Sequence, residues 1–334
     1  MHKILMRADA DAKSGTGDLF SLLSFSEYLT GWKRYFVTKD TKEARAILSK
    51  NGVRDVLYIP RTVSIGKEID RMNRMIDAEK IDAVLIEITA ADTASYKDIA
   101  APYRACVDFY GKVPRGFDLV INWDTYAEKL YDRREYPGTR FLLGPEYAFL
   151  RRSVAGKANS AMRRPGKTKR AKKVLIFLGG FDEFDFTLKT VKALEKMDAG
   201  LELNIILGAG YKGERDLSSY LSHSGFFKYR IRRNIGNMPA EYGRSDLAII
   251  AGGLSIFEAV ALKVPAAVIA TYGHQVKRSL FFEKTGSAIY LGFRRISVPK
   301  LKRAVSGYRF TPFRERILTG KIPGIIDEGL NDNR

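Results

Sequence analysis

The segment Asp246–Leu262 contains the residue types of an anion-binding site. It opens with a short apolar run, Leu247–Ala251, which is typical of a strand buried on both faces of a parallel sheet. Gly252 and Gly253 follow, and helical spacing then begins at Ser255, a favourable N-cap residue. Glycines let the backbone approach a ligand, and the first N–H groups of a helix point at it with the helix dipole behind them. The segment therefore predicts a phosphate site.

Glu258, three residues after Ser255, has two interpretations. It closes a capping box with Ser255, which the spacing alone favours. Alternatively, it faces the bound ligand and accepts hydrogen bonds from a ribose.

The beginning of the chain has the same form. Lys3–Met6 is typical of a strand, Gly15 and Gly17 lie in the loop that follows, and Leu19–Leu29 has apolar residues at helical spacing. Loops at the carboxyl edge of an open α/β sheet are where such folds bind ligands. Because residue 20 is Phe, the loop lacks the full Gly-x-Gly-x-x-Gly pattern, and the sequence does not support a dinucleotide site.

Apolar runs that alternate with helical spacing extend this pattern along the chain, which predicts βα units and doubly wound parallel sheets. A chain of 334 residues suggests two domains of roughly 150 residues each. We expect an N-terminal Rossmann-like domain (1–150), a basic linker (151–173), a C-terminal Rossmann-like domain (174–300) and a C-terminal helical segment (301–334). Within that last part, Lys300–Ile317 is expected to be helical and to return to the first domain. Two such halves imply a ligand held in the cleft between them.

The remaining strands and the main helices are predicted from the same pattern. The strands are Tyr35–Val37, Val56–Ile59, Ala83–Ile86, Ala105–Val107, Leu119–Ile121, Phe141–Leu143, Val174–Leu178, Leu203–Ile206, Tyr229–Ile231, Ala266–Ile269 and Ala288–Leu291. The helices are Thr41–Asn51, Ile65–Glu79, Thr187–Met197, Met238–Tyr242 and Val276–Thr285.

The charge balance is strongly basic, with 57 Lys and Arg against 38 Asp and Glu, a formal net charge of +19. Such an excess attracts nucleic acid, an anionic membrane or phosphorylated substrates, and it also occurs on a merely solubilising surface. No recognised nucleic-acid-binding module is present, so we expect no nucleic-acid partner. The single cysteine, Cys106, excludes an intramolecular disulfide. No apolar run approaches the ~18 residues of a spanning helix, so we expect a cytoplasmic protein, with peripheral contact to the inner membrane left open.

Several motifs, in order from residue 4 to residue 329, carry a resemblance to a known family. They are Arg7-Ala-Asp9 with Gly15-Thr-Gly17, Gly144–Arg151, Phe177–Asp182, Asn237-Met-Pro with Ser245–Ile249, Gly252–Glu258, Gln275 and Ile325–Gly329. Their order and spacing resemble nucleotide-sugar enzymes of the GT-B architecture. The nearest match is the UDP-2,4-diacetamido-2,4,6-trideoxy-β-L-altropyranose hydrolase family of pseudaminic acid biosynthesis, with its spore-coat-polysaccharide (SpsG-like) relatives.

The resemblance implies two Rossmann-like domains facing a central cleft, with a UDP-sugar held mainly by the second domain. The backbone around Ile231 to Asn237, including Ile235, would read the uracil. Gly253, Leu254 and Ser255 would hold the diphosphate, and Glu258 would hold the ribose. Gly15, Gly17, Gly180, Asp182 and Gln275 complete the expected substrate contacts. No cofactor is implied beyond the nucleotide sugar, which is the substrate, and no metal is needed if helix dipoles and N–H groups carry the diphosphate charge. The choice between UDP and CMP stays open.

Three positions depart from the family pattern. The histidine that family hydrolases carry after Gly-x-Gly is Asp18 here, their Asp-His-Tyr is Glu87-Ile88-Thr89, and their Asn-Gln is His274-Gln275. Relative to the family pattern, the residues expected to hold the nucleotide are the same, whereas positions near the sugar, including Thr89, differ. This combination predicts a changed sugar or acceptor.

Cleavage of a sugar–diphosphate bond needs stabilisation of the leaving diphosphate and a base for the nucleophile. Asp18 is the candidate base, or else the N-cap of its helix. His274 is expected in a loop after a strand, where it binds phosphate, shuttles a proton or has no role. Arg7 either meets the diphosphate or pairs with Asp9 or Asp11, and Asp182 is a substrate contact or only a turn or N-cap residue.

Three functions follow as hypotheses. The first is a metal-independent glycosyltransferase that acts on a surface glycan or its lipid-linked precursor. The second is a nucleotide-sugar hydrolase of nonulosonic acid synthesis, and the third is a binding protein that kept the nucleotide pocket without catalysis.

Overall fold

The structure is a computed structural model that describes residues 1–11, 15–88, 93–113, 115–160, 166–197, 200–225, 227–233 and 235–332. The chain divides into two compact units. Unit 1 contains residues 1–152 and 317–334, and unit 2 contains residues 153–316. Thr89, an expected substrate contact, lies outside the described residues.

The strands and helices of the described residues alternate along both units. The strands are β1 Lys3–Ala8, β2 Lys33–Lys39, β3 Val56–Ile59, β4 Ala83–Glu87, β5 Tyr103–Val107, β6 Leu119–Asn122, β7 Arg140–Leu143, β8 Gly166–Lys167, β9 Lys173–Phe177, β10 Glu202–Leu207, β11 Lys228–Arg233, β12 Leu247–Ala251, β13 Ala266–Ala270, β14 Ala288–Phe293 and β15 Arg309–Phe310. The α-helices are α1 Gly17–Ser26, α2 Lys42–Lys50, α3 Ile65–Glu79, α4 Arg152–Ser160, α5 Phe186–Glu195, α6 Glu214–Ser224, α7 Met238–Gly243, α8 Leu254–Ala261, α9 His274–Lys284, α10 Val298–Ser306 and α11 Ile322–Asp332.

Unit 1 is built on a parallel sheet with the strand order β3-β2-β1-β4-β5-β6-β7. The order reverses between β1 and β4, which lie side by side with Arg7 opposite Ile86 and Ala8 opposite Glu87. A reversal of strand order opens a crevice at the carboxyl edge of the sheet. The β1–α1 loop and the end of β4 therefore meet at the expected ligand position of this unit.

Unit 2 repeats the arrangement with a parallel sheet of order β11-β10-β9-β12-β13-β14. Its strand order reverses between β9 and β12, so the turns after these two strands flank the switch point. Those turns contain Gly179-Gly180 and Gly252-Gly253. The predicted doubly wound α/β architecture is confirmed for each unit.

Local patterns explain why these elements form. Every residue of β4, β12 and β13 is buried, as the continuous apolar runs require of strands covered on both faces. Helix α3 buries Ile69, Met72 and Ile76 at helical spacing, and its predicted bounds are confirmed. Among the described helices, none has both the length and the apolar character needed to cross a membrane.

Two sequence-based expectations differ from the structure. The basic stretch 151–173, expected to be an irregular linker, contains helix α4 and strand β8. Helix α4 buries Val154 and Ala158, whose four-residue spacing was too brief to recognise among the basic residues.

The segment Lys300–Ile317 was expected to be helical and to return to the first domain. It is helical only to Ser306, because Gly307 adopts a φ of +96°, and it stays in unit 2 as far as Arg316. The segment that belongs to unit 1 begins at Ile317, and α11 contacts β5 there.

Candidate functional site

The Gly252–Gly253 turn joins β12 to α8 at the switch point of unit 2. The N–H of Gly252 donates to the carbonyl of Ile269, 3.0 Å away, so the first glycine is still part of the sheet. Gly253 occupies the N-cap position and α8 begins at Leu254. The first N–H groups of a helix have no partner within it, and α8 begins at this turn. The turn has the backbone geometry of an anion site.

The capping-box interpretation of Ser255 and Glu258 is wrong. Ser255 is the second residue of α8 and not its N-cap, because the glycine turn lets the helix start two residues earlier than the serine suggested. Both side chains are nearly buried, at 9% and 8% exposure. Glu258 is thus not used to cap the helix.

Tyr242 lies beside this part of α8. Its hydroxyl is 3.3 Å from the carbonyl oxygen of Ser255 and 3.4 Å from Oε2 of Glu258. Burial, followed by the charge of Glu258, raises the pKa of Tyr242 well above its usual value, so the hydroxyl stays protonated and donates. The hydroxyl of Tyr242 therefore lies between two acceptors, the carbonyl oxygen of Ser255 and the carboxylate of Glu258.

Gln275 is held against the glycine turn by its amide oxygen. Oε1 accepts from the N–H of Thr271 at 2.8 Å and from the hydroxyl of Thr271 at 3.1 Å. These bonds orient the amide nitrogen, which lies 3.8 Å from the place where a Cβ atom on Gly253 would be. The side chain thus presents an N–H donor beside the turn, as the expected substrate contact requires.

Arg278, one turn further along α9, is buried behind the same glycines. It is only 3% exposed, its Nη1 donates to the carbonyl of Gly252 at 3.1 Å, and its guanidinium lies 4.9 Å from the ring centre of Phe257. A buried cation at this point adds positive potential to the anion site. The sequence analysis did not identify Arg278.

The other predicted residues of unit 2 have mixed outcomes. His274 is the first residue of α9, not a loop residue, and its ring stacks on Tyr272 at 6.1 Å. Ile235 lies half-buried in the segment between β11 and α7, near the N-cap residue Asn237. The carbonyl of Gly180 accepts from the N–H of Gly210 at 2.8 Å.

Asp182 behaves as a turn and capping residue. It has a φ of +42°, and its two carboxylate oxygens accept from the N–H groups of Phe186 at 2.8 Å and Thr187 at 2.7 Å. These bonds satisfy the first turn of α5. The N-cap position of α5 is Asp185, whose N–H donates to the carbonyl of Asp182 at 2.9 Å, so the structure favours the turn alternative for Asp182 over a substrate contact.

Arg7 pairs with neighbouring carboxylates, which was the alternative to contact with the diphosphate. Its guanidinium donates to Glu68 at 2.6 Å and to both oxygens of Asp9 at 2.6 and 2.9 Å, and Tyr96 donates to Glu68 at 2.7 Å. Arg7 is 1% exposed and Glu68 is fully buried. The ion pairs outweigh the desolvation and raise the pKa of Arg7. Because its fork is occupied, Arg7 supports the fold and is not available to a diphosphate.

The glycine loop of unit 1 leads directly to Asp18. Gly15 has a φ of +91° and exchanges two backbone hydrogen bonds with Asp11, while Gly17 is the first residue of α1, with no heavy atom within 4 Å of where its Cβ would be. The N-cap of α1 is Thr16. The alternative in which Asp18 only caps the helix is therefore wrong, and its half-exposed carboxylate lies in the first turn.

Glu87, the last residue of β4, is the acidic neighbour of Asp18. It is 2% exposed, and its Oε2 has no hydrogen-bond partner within the described part of the chain. Burial, followed by the negative charge of Asp18, raises the pKa of Glu87 well above the usual carboxyl range. The same Asp18 adds to the raised pKa of Tyr110, which burial dominates. A buried carboxyl that favours its neutral form thus lies near the acidic start of α1 at this switch point, and the phenol of Tyr110 also lies within the electrostatic influence of Asp18.

A pair of acidic groups in unlike environments is the usual arrangement for holding one proton and leaving one base. Glu87 favours its neutral form, so Asp18 can act on a substrate hydroxyl or a water without a second full negative charge beside it. Across the described residues there is no group of three or more His, Cys, Asp or Glu side chains that could hold a metal ion.

Sequence reasoning missed Arg278, Tyr242 and the role of Glu87. Arg278 had a signal, because Gln275, Arg278 and Ser279 share the buried face of α9. Glu87 was visible as a charge at the end of an apolar run, but its proximity to Asp18 depends on the pairing of β1 with β4.

Comparison with known proteins shows which families and folds the chain resembles. Residues 174–313 match the glycosyltransferase family 28 C-terminal domain. The chain is 25% identical over 270 residues to the spore coat polysaccharide biosynthesis protein SpsG of Bacillus subtilis, covering 77% of this chain and 76% of that protein. It is 27% identical over 290 residues to an uncharacterised protein of Methanocaldococcus jannaschii, covering 84% of this chain. The chain spans only 57% of that relative's length.

The solved structures with a similar fold include MnaA of S. aureus in complex with UDP. It superposes with a TM-score of 0.65 at 14% identity, covering 99% of this chain and 97% of that one. At such identity the likeness concerns the fold alone. The chain thus has a GT-B fold, contains a segment that matches the glycosyltransferase family 28 C-terminal domain and is similar to SpsG, as the motif resemblance implied.

Proposed function

We propose that this protein is a nucleotide-sugar-dependent glycosyltransferase of surface-glycan or nonulosonic acid biosynthesis. The observation that carries the proposal is the Gly252–Gly253 turn at the start of α8, inside the segment that matches a glycosyltransferase domain. SpsG is named for polysaccharide biosynthesis, and a structural neighbour was solved with UDP. These names support, for this chain, a UDP-sugar as donor.

The diphosphate is assigned to the backbone N–H groups of Gly253, Leu254 and Ser255. Helix-start donors stabilise a departing diphosphate through fixed partial charges, and they do so without a metal ion. The amide of Gln275 adds a donor beside the turn, and the buried guanidinium of Arg278 adds positive potential from behind it.

The ribose is assigned to Glu258. A carboxylate accepts from two adjacent hydroxyls, and the hydroxyl of Tyr242 fixes one of its oxygens. The uracil is assigned to the backbone near Ile235. No cofactor is proposed beyond the donor sugar, which is the substrate.

The sugar and acceptor side is assigned to unit 1, with Asp18 as base. Asp18 takes the proton of the acceptor hydroxyl as that oxygen attacks the anomeric carbon, and the bond to the diphosphate breaks. Glu87, which favours its neutral form, limits the negative charge beside Asp18. His274, at the start of α9, is a second candidate for contact with phosphate.

The acceptor is proposed to be a glycan or a lipid-linked precursor. The net charge of +19 suits a phosphorylated acceptor or an anionic membrane surface. We place the protein in the cytoplasm, peripheral to the membrane where such acceptors lie.

Hydrolysis is the second candidate, because water in place of the acceptor needs the same base and the same leaving-group site. A UDP-sugar mixed with the protein distinguishes the two. A transferase releases UDP only when acceptor is added, a hydrolase releases it with water alone, and a binding protein shows heat of binding without turnover.

The first experiment is a thermal-shift series with UDP, CMP, GDP and their sugars, since selective binding to the folded state raises its melting temperature. We expect a shift with UDP and UDP-sugars. If no nucleotide shifts the transition, the proposal is refuted.

The second experiment separates catalysis from binding. We expect Asp18→Asn to lower turnover by at least ~100-fold and to leave UDP affinity nearly unchanged, the range for loss of a general base. Glu258→Ala is expected to weaken UDP binding instead. Full activity of Asp18→Asn would exclude Asp18 as the base.

A further inference from the structure

Arg294, directly after β14, is an arginine whose position is fixed but whose terminal nitrogens are unused. Its Nε donates to the carbonyl oxygen of Thr271 at 3.1 Å. Within the described residues, neither Nη1 nor Nη2 has a hydrogen-bond or ion-pair partner. The charges of Glu183 and Arg294 both affect the pKa of Tyr272, but Glu183 and Arg294 do not form an ion pair with each other. The free edge of the guanidinium therefore has unfilled donor capacity.

Two aromatic rings hold the guanidinium group. Its central carbon lies 4.4 Å from the ring centre of Phe184 and 5.4 Å from that of Phe293. Phe293 is 43% exposed, whereas Phe184 is half-buried and packs against the core of unit 2, so the guanidinium lies at the boundary between core and solvent. Stacking and the Nε bond together restrict a side chain that is otherwise among the most mobile.

The backbone of Arg294 is in the left-handed region, with a φ of +48°. This conformation is unfavourable for a residue with a Cβ and persists where the surroundings require it. Here the N–H of Arg294 donates to the carbonyl of Ala270 at 2.9 Å, which anchors the residue across the ends of β13 and β14. The residue is thus held at the carboxyl ends of these two strands.

A short chain of contacts connects Arg294 to the glycine turn. Thr271 accepts from Arg294 through its carbonyl and donates to Gln275 through its N–H and hydroxyl, and the amide nitrogen of Gln275 lies beside Gly253. Arg294 is thus on the same edge as the anion site but beyond the residues assigned to the diphosphate.

We propose that the free fork of Arg294 binds an oxyanion, a phosphate or carboxylate group, that the substrate carries in addition to its diphosphate. The assignment of the neighbouring turn to the diphosphate rests on the proposed function. A planar guanidinium with two parallel donors matches the two oxygens of either group. The oxyanion is carried either by the sugar of the donor, as a carboxylate, or by the acceptor, as a phosphate.

The experiment compares charged and neutral probes of the same shape by calorimetry. UDP-glucuronate against UDP-glucose tests the sugar carboxylate. Octyl phosphate against octanol, each with and without UDP, tests the acceptor phosphate. The variants are Arg294→Gln, Arg294→Lys and the matched control Arg295→Gln, which removes the same charge from the adjacent exposed residue.

We expect the wild-type protein to prefer at least one charged probe to its neutral partner by about 10-fold, the effect of a charge-assisted pair at an accessible site. Arg294→Gln removes the preference, Arg294→Lys retains part of it, and Arg295→Gln and UDP affinity stay near wild type. A carboxylate preference identifies the donor sugar as the source, and a phosphate preference identifies the acceptor.

The inference is overturned if the wild-type protein shows no preference for either charged probe, or if Arg294→Gln and Arg295→Gln have equal effects. Loss of UDP binding in Arg294→Gln would also overturn it, because Arg294 would then belong to the diphosphate site. If wild-type protein does not bind UDP, the proposed function fails, while the octyl phosphate arm without UDP still decides the role of Arg294.

Discussion

Replacing Gly252 and Gly253 separately by alanine tests the central assignment, because the two positions differ in the space that they leave. A Cβ atom on Gly252 would lie 3.0 Å from Cβ of Gln275 and 3.0 Å from Oγ of Ser279, both buried on α9. These distances are tighter than ordinary contact, so α9 must shift. Overpacking of this kind costs about 1–3 kcal/mol of unfolding free energy.

At Gly253 the nearest atom to an added Cβ is the amide nitrogen of Gln275, at 3.8 Å, which is ordinary contact. We therefore expect Gly253→Ala to change the unfolding free energy by less than about 1 kcal/mol. Its methyl group instead enters the space assigned to the diphosphate, so we expect UDP affinity to fall at least 10-fold. Gly252→Ala is expected to lose both stability and UDP affinity.

The assays are urea unfolding and calorimetric titration with UDP. Both tryptophans, Trp32 and Trp123, belong to unit 1, so tryptophan fluorescence follows that unit and serves as an internal control. Circular dichroism follows both units. A wild-type urea midpoint for Gly252→Ala would refute the close packing of α9 on the turn, and wild-type UDP affinity of Gly253→Ala would refute the diphosphate assignment.

Two further substitutions test the acidic groups of unit 1. Because the pKa of Glu87 is raised in the folded protein, the folded state keeps a proton that the unfolded chain releases above about pH 4.5. The free energy of unfolding therefore falls as the pH rises from that value to the folded-state pKa, by up to about 1.4 kcal/mol per pH unit. Urea midpoints measured from pH 5 to 8 should show this decline in the wild type and in Glu135→Gln, a control at an exposed residue, but not in Glu87→Gln. The same pH dependence in Glu87→Gln as in the wild type would contradict the prediction. We expect Arg7→Gln to lower the unfolding free energy by about 3–5 kcal/mol, because the buried Glu68 loses its main partner, and the double variant with Glu68→Gln to recover part of that loss. A stable Arg7→Gln protein that no longer binds UDP would show that Arg7 contacts substrate after all.

Strands and helices whose apolar run or helical spacing covers their full length were predicted well. β3, β12 and α3 have the bounds expected from their apolar runs and spacing. The errors occur where a local signal has two meanings. Ser255 is a good N-cap residue, but the glycines before it let α8 begin earlier, and Lys300–Ile317 contains enough helical spacing to hide the break at Gly307.

Site residues were harder to predict than elements, because their partners are distant in sequence. Nothing near Arg7 indicated that Glu68, 61 residues later, would occupy its guanidinium. The motif placed Asp18 at a helix start, but only the structure shows that Glu87 is buried and lies close enough for the charge of Asp18 to add to its raised pKa.

The sequence by itself determined the two α/β halves, the glycine turns at the carboxyl edges of their sheets and the family resemblance, because each depends on residues that are neighbours in the chain. Only the tertiary structure decided which charged groups are satisfied within the fold and which remain available to a ligand. The pairing of β1 with β4 and the packing of α9 on the Gly252–Gly253 turn bring such groups together, and burial then sets their protonation and hydrogen bonding. Those contacts are long-range, and no local pattern encodes them.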